Sequence, residues 1–318
     1  MTVSQHRGLW HVGCPDIAQR MEYQRSIRRQ VSLEGIGLHS GKLVHLTLSP
    51  AQQDSGIVFR VGDGEPIPAA PESVVDSHYA TTLGRGGTRI QTVEHLMAAA
   101  AGLGIDNLDV RVEGTEVPAL DGSAKPLVAL LLSAGRLSLG ARPRPIVIPY
   151  PIRVGDGARW LSIVPADRLR ISYTLDNDHP AIGTQALSWI ATERSFIEDF
   201  APARTYGFLK DLGAIRKRGL AQGVSLDNTI GVGNGGVLNR LRYRDEFVRH
   251  KVLDLVGDLA LLGRPVLGHV VARNAGHALN YQLVLAIQQA LGLERRPAAA
   301  TVAQPAASPR LSAAAAIS

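Results

Sequence analysis

Residues 245 to 258, DEFVRHKVLDLVGD, constrain the fold more than any other part of the chain. Val248, Val252, Leu255, Val256 and Leu259 recur at helical spacing and share one side of a helix. At about 100° per residue, His250, Asp254 and Asp258 fall within roughly 80° of one another on the other side. One face of this helix must enter a core, while the other presents an imidazole and two carboxylates. A His and an Asp one turn apart can grip a single divalent metal, and nitrogen and oxygen donors suit zinc. A three-ligand site needs one more histidine.

His95, in TVEHLMAAAAGLGIDN, is a good candidate. Thr92 reads as a cap residue, followed by Glu94, His95 and a small apolar helix that stops at Gly102 and Gly104. Neighbouring side chains on a helix diverge by about 100°. Glu94 can therefore stand beside a metal held by His95 without binding it, as a zinc hydrolase requires of its general base. Taken alone, Glu94 reads more simply as a first-turn acid favouring the helix dipole, and His95 as a satisfied core group. The second cluster, on 245–258, reverses that preference.

The segments TVEHL, AGLGIDN, PALDGSAKPLV, ARTYGFLKD, DEFVRHKVLDLVGD and AGHALN, in this order and spacing, closely resemble the UDP-3-O-acyl-N-acetylglucosamine deacetylases of lipid A biosynthesis. The resemblance runs from about Tyr23 to about Leu293. It implies an α+β fold of two similar domains, each a mainly antiparallel sheet with helices. The helices would pack between the two sheets in a β-α-α-β sandwich, with the active site in the interdomain cleft. Domain I would cover 23–142 and domain II 143–294, after an N-terminal extension of 1–22 and before an Ala/Pro-rich tail of 295–318, which its composition marks as disordered.

The resemblance also assigns the site. His95, His250 and Asp254 would be the metal ligands and Glu94 the general base. Zinc held by three protein ligands keeps a fourth position for water and lowers its pKa to about 7. The donor set accepts Fe(II) as well. Thr205 in ARTYGF matches the family threonine that stabilises the oxyanion; by itself it reads as a turn or cap residue. His277 in AGHALN would protonate the leaving amine, and Gly276 beside it lets a loop approach a ligand. Asp258 would keep His277 charged and oriented, since a nearby carboxylate favours imidazolium. In isolation Asp258 reads as a solvated helix acid and His277 as a loop residue. Lys251, Tyr206, His39 and Arg159 would contact substrate, His39 at the edge of the cleft and Arg159 at the nucleotide end.

Four positions depart from the family pattern. Tyr206 stands where Phe is common, keeping a ring but adding a hydroxyl. The ATT run around Ala80 replaces a cysteine. Arg159 replaces a lysine, and Asn177 an aromatic residue, which puts stacking on the nucleotide there in doubt. The insert from Leu209 to Val232 corresponds to an apolar passage for the acyl chain.

The resemblance implies a metal-dependent amidase acting on a UDP-linked acylated sugar, and length and composition agree with a soluble enzyme. The chain has 318 residues, 45% of them hydrophobic, enough for two ordinary cores. No run approaches the roughly 18 apolar residues of a membrane span, and the N-terminus lacks the apolar region of an export signal, so the protein is expected to stay in the cytoplasm. A monomer is the expected state, although the sequence carries no signal for it. The single Cys14 excludes a cysteine-built zinc site. Between Arg204 and Lys251 there are ten Lys or Arg against four acids. A diphosphate near the metal accounts for that excess better than nucleic acid, for which aromatic residues are few and no motif is visible. The rival reading is a non-catalytic nucleotide-sugar or nucleic-acid binding module using 204–251; such a module has no use for Glu94 or His277. His45 and His269 lie in strand-like runs and read as packed residues.

Overall fold

The computed structural model describes residues 22–293. The expected extension, except for its last residue, and the expected tail lie outside the described residues, as do Cys14, His6 and His11. Alternation of polar and apolar residues, as a strand with one buried face requires, produces β1 (Val31–Ile36) and β2 (Leu43–Pro50), with β3 (Ile57–Val61) next. β4 (Ile67–Pro68) and β5 (Leu108–Glu113) complete a five-stranded sheet of order β1-β2-β5-β3-β4. β5 runs parallel to β3, and the other three pairings are antiparallel. A parallel pairing demands a crossover. Here the crossover carries a small sheet (Val74–Asp76, Thr82–Arg85, Thr88–Ile90) and helix α1 (Glu94–Gly102). Helix α2 (Lys125–Ser133) follows β5.

The second half repeats this plan strand for strand. β6 (Ile152–Asp156), β7 (Arg159–Val164), β8 (Arg170–Asp176), β9 (Thr184–Ile190) and β10 (His269–Arg273) pair in the order β6-β7-β10-β8-β9. Again only the pairing of the last strand with the third, β10 with β8, is parallel. The second crossover carries another small sheet (Tyr206–Phe208, Ile230–Gly233, Gly236–Val237), helix α3 (Leu209–Lys217) and helix α4 (Glu246–Leu259). Helix α5 (His277–Ala290) follows β10. The echo between AGLG and ALLG has a physical cause. Gly104 and Gly263 both adopt left-handed backbone, with φ of 66° and 64°, ending a helix so that the chain can turn into the last strand of its sheet.

α4 packs on β8 and β9, α5 on β6 and β7, and α1 on α4. One apolar cluster joins Leu46 and Val110 of the first sheet, Met97, Val252 and Leu255 of the helices, and Ile163 and Ile171 of the second sheet. The helices approach closest at Gly257, where an added Cβ would lie 2.1 Å from the Glu94 carbonyl oxygen. Neither backbone can yield without moving its helix. Gly257→Ala is therefore expected to cost about 1–3 kcal/mol of stability and to lower metal affinity by displacing α1; thermal melts with metal titration check both.

Several local expectations change. Thr92 does not cap α1: the cap position is Val93, and Thr92 sits at φ 59°, a rare conformation for a β-branched residue, with its hydroxyl 3.4 Å from Glu116 Oε2. Before the second small sheet the chain makes a short helical turn, Glu193–Ser195, continued by a wider π-helical turn, Phe196–Phe200. His45 is exposed beside Glu34 on the solvent side of β2, not packed. Asp258 is buried, not solvated, because α1 covers the polar side of α4 and twelve of the helix's 14 residues are buried. Among the described residues, no helix is long and apolar enough to cross a membrane.

Candidate metal centre and active site

His95 enters from the first turn of α1, and His250 and Asp254 from consecutive turns of α4. Their donor atoms lie within 4.8 Å of one another. Asp254 Oδ1 is 3.3 Å from His250 Nε2 and 3.7 Å from His95 Nε2. Donors about 2.1 Å from a tetrahedral ion sit roughly 3.4 Å apart, so these spacings fit a single small cation. The chemistry of the atoms agrees. Asp254 Oδ1 is buried and has no hydrogen-bond partner, a costly state for a carboxylate oxygen unless a cation meets it. The other oxygen, Oδ2, accepts from Lys251 Nζ at 2.7 Å. His250 Nδ1 is 3.1 Å from the Ala203 carbonyl; donating there turns Nε2 towards the centre. Burial holds the His250 imidazole down to about 3, opposed by Asp254, so the ring is neutral and its nitrogen free to ligate. Burial works against the Asp254 carboxylate, yet the charged Lys251 and His277 hold it well below the usual range.

Beside this cluster lies a second, hydrogen-bonded one. Glu94 Oε2 accepts from the Thr81 amide at 3.0 Å, and Oε1 is 3.9 Å from His277 Nε2. Burial raises the Glu94 carboxyl above its ordinary range. His277 Nδ1 is 2.8 Å from Asp258 Oδ2, which also accepts from Asn280 Nδ2 at 2.8 Å. Asp258 Oδ1 accepts from the Thr81 hydroxyl at 2.6 Å. Burial disfavours the His277 imidazolium, but Asp258, Asp254 and Glu94 outweigh it and bring His277 up to about 10. His277 Nε2 is also 3.8 Å from Asp254 Oδ2, so the two clusters adjoin.

The remaining expected residues divide into two groups. Thr205, Tyr206 and His39 line one apolar cavity of about 390 Å³, together with Leu209, Leu212 and Ile215 of α3. Lys251 bridges the cavity and the metal cluster, its Nζ lying 5.6 Å from the centre of the Tyr206 ring. His39 is buried and its Nε2 has no partner. Arg159 stands apart, exposed at the β6–β7 turn, where its Nε donates to the Asn274 carbonyl at 3.2 Å. That carbonyl belongs to the loop leading into His277.

The structure also brings in residues the sequence did not single out. Thr81 links Glu94 to Asp258, and Asn280 shares Asp258 with His277. Buried Glu116 accepts from the amides of His39 (3.0 Å) and Ser40 (2.7 Å), and so fixes the His39 turn. Glu116 lies 77 residues from His39 along the chain, so nothing in the sequence pointed to it. The basic excess of 204–251 is partly structural. Arg204 forms a buried pair with Glu246 (2.9 Å), Arg242 pairs with Asp121 (2.9 Å) and Arg249 with Asp245 (2.7 Å).

The profile of a family described as UDP-3-O-acyl N-acetylglycosamine deacetylase matches residues 24–289, most of the chain and all of the clustered residues. The chain belongs to this family. A UDP-3-O-acyl-N-acetylglucosamine deacetylase of Myxococcus xanthus is 50% identical over 266 residues, covering 82% of this chain and 85% of the relative. Proteins of the same name from Anaeromyxobacter dehalogenans (47% identical, 82% of this chain, 86% of the relative) and Syntrophotalea carbinolica (45%, 83% and 87%) are similarly close. Membership in a deacetylase family disfavours the binding-module reading.

Proposed function

We propose that the chain hydrolyses the N-acetyl group of UDP-3-O-(3-hydroxyacyl)-N-acetylglucosamine, releasing acetate and the free amine in lipid A biosynthesis. The orphaned, buried Asp254 Oδ1 between two imidazoles carries this reading, because it marks a cation centre directly beside an acid and a base. The relatives' names supply the substrate. We assign the two topological repeats as two domains with their helices between the sheets, the site lying in the cleft where α1 meets α4. The nucleotide-linked substrate suits a cytoplasmic enzyme, and one chain supplies every group, so a monomer suffices.

His95, His250 and Asp254 would hold zinc, with Fe(II) compatible with the same donors. When bound, the metal supplies Lewis-acid polarisation of the amide carbonyl and acidification of the attacking water. Glu94, with a raised pKa and one oxygen fixed by Thr81, removes the water's proton. The Thr205 hydroxyl donates to the developing oxyanion. His277 Nε2 then gives its proton to the leaving amine, and Asp258 keeps that imidazole charged and aligned. Lys251 and Tyr206 receive the sugar and head group, His39 the region at the cavity entrance, Arg159 the nucleotide, and the apolar cavity the acyl chain.

Acetate release from the UDP-linked substrate, measured before and after chelation and metal return, tests the reading. Undiminished release from fully stripped protein would remove the metal from the mechanism, and no release from loaded protein would remove the function. Asp258→Asn deletes the main support of the His277 imidazolium, so His277 loses its proton at lower pH. The alkaline limb of the rate profile is expected to move down in pH, and a limb that stays in place would exclude His277 as the acid.

A further inference from the structure

We propose that the rim of the apolar cavity is a docking surface for a lipid bilayer with anionic headgroups. α3 spans nine residues and buries none of them. Its Leu209, Leu212 and Ile215 turn to the cavity, while Lys210, Arg216, Lys217 and the following Arg218 are exposed. Four large apolar residues that line the cavity, Tyr79, Leu209, Leu226 and Leu238, are also about half exposed, between 46% and 52%. The exposed cross-strand pair Ile36 and Leu43 adjoins them through Gly223, whose added Cβ would lie 3.1 Å from Ile36. Exposed apolar residues scattered singly mean little, but a ring of them around one opening marks a contact surface.

The charges select the partner. Among the described residues, none of the four cations makes an ion pair with a carboxylate; Arg216 donates to the Ala221 and Val224 carbonyls, each at 3.3 Å. Arg218 instead lies over the Tyr79 ring, 5.6 Å from its centre. Unpaired cations beside exposed leucines suit a bilayer, whose phosphates meet the cations while the apolar rim enters the acyl boundary. The purpose rests on the reading of the cavity as an acyl passage, since docking would set its mouth where acylated molecules partition; the binding itself does not depend on that reading.

Sedimentation of the metal-loaded full chain with vesicles tests this. Binding to phosphatidylglycerol mixed into phosphatidylcholine is expected, weakened by salt, with little binding to phosphatidylcholine alone. Lys217→Glu combined with Arg218→Glu should weaken binding by at least roughly tenfold. Leu43→Asp should weaken it severalfold. Arg142→Glu with Arg144→Glu, exposed cations outside this face, should leave it unchanged. No binding by the unaltered chain at low salt, no effect of the first pair, or an equal effect of the second pair would each overturn the proposal. Acetate release from dissolved substrate is expected to be unchanged in the Lys217/Arg218 variant. Absence of release from the unaltered chain would sink the functional reading and leave the docking result standing.

Discussion

Glu94→Ala is expected to lower acetate release by on the order of 10²–10⁴-fold, the usual worth of a positioned base, while the protein still holds one equivalent of metal. Activity and metal content separate here because Glu94 lies outside the donor set. Its Oε2 is held by the Thr81 amide, and the three candidate donor atoms come from His95, His250 and Asp254. Replacement by Gln keeps that amide contact and the packing beneath Gly257, so Glu94→Gln should fold normally and be equally inactive. Full activity in either variant would exclude Glu94 as the base. Loss of metal in both would show that Glu94 is a ligand.

His250→Ala is expected to weaken metal binding by at least about 100-fold and to lower the rate with it. The imidazole is fixed from both ends, Nδ1 by the Ala203 carbonyl and Nε2 by the approach of Asp254. Removing it leaves two donors and a buried carboxylate facing an empty space. Metal content after gel filtration, compared with a thermal melt of the same sample, separates loss of the ion from loss of the fold. Stoichiometric metal in a folded His250→Ala protein would refute the ligand assignment.

The helix carrying His250, Asp254 and Asp258 was legible because one period, 3.6 residues, sets both its apolar stripe and its polar line. What covers the polar line was not legible. That depends on Gly257 admitting α1, and a glycine inside a helix looks locally like nothing more than a weak point. The expectation for His45 failed against the alternation itself: Val44, Leu46 and Leu48 face the core, which puts His45 on the opposite, solvent side. Thr92 failed because a Thr before an acidic first turn imitates a cap, whereas its backbone lies in the left-handed region and its hydroxyl turns to Glu116. Thr81 and Asn280 lie in segments the sequence singled out, the ATT run and AGHALN, yet had no role there, since hydroxyls and amides acquire theirs from the partners that folding brings to them. The resemblance named Asp258 as the partner of His277, but not Thr81 or Asn280, which share that carboxylate.

The division of the metal donors between the repeats has a mechanical consequence. One donor comes from the first crossover and two from the second, so neither half closes a three-point grip by itself. An ion held there would clasp two copies of one topology together. Stripping it should slacken the seam where Gly257 meets Glu94 and leave each five-stranded sheet as firm as before. Amide exchange would register that as faster labelling at the facing ends of α1 and α4, with the inner strands β5 and β10 unmoved.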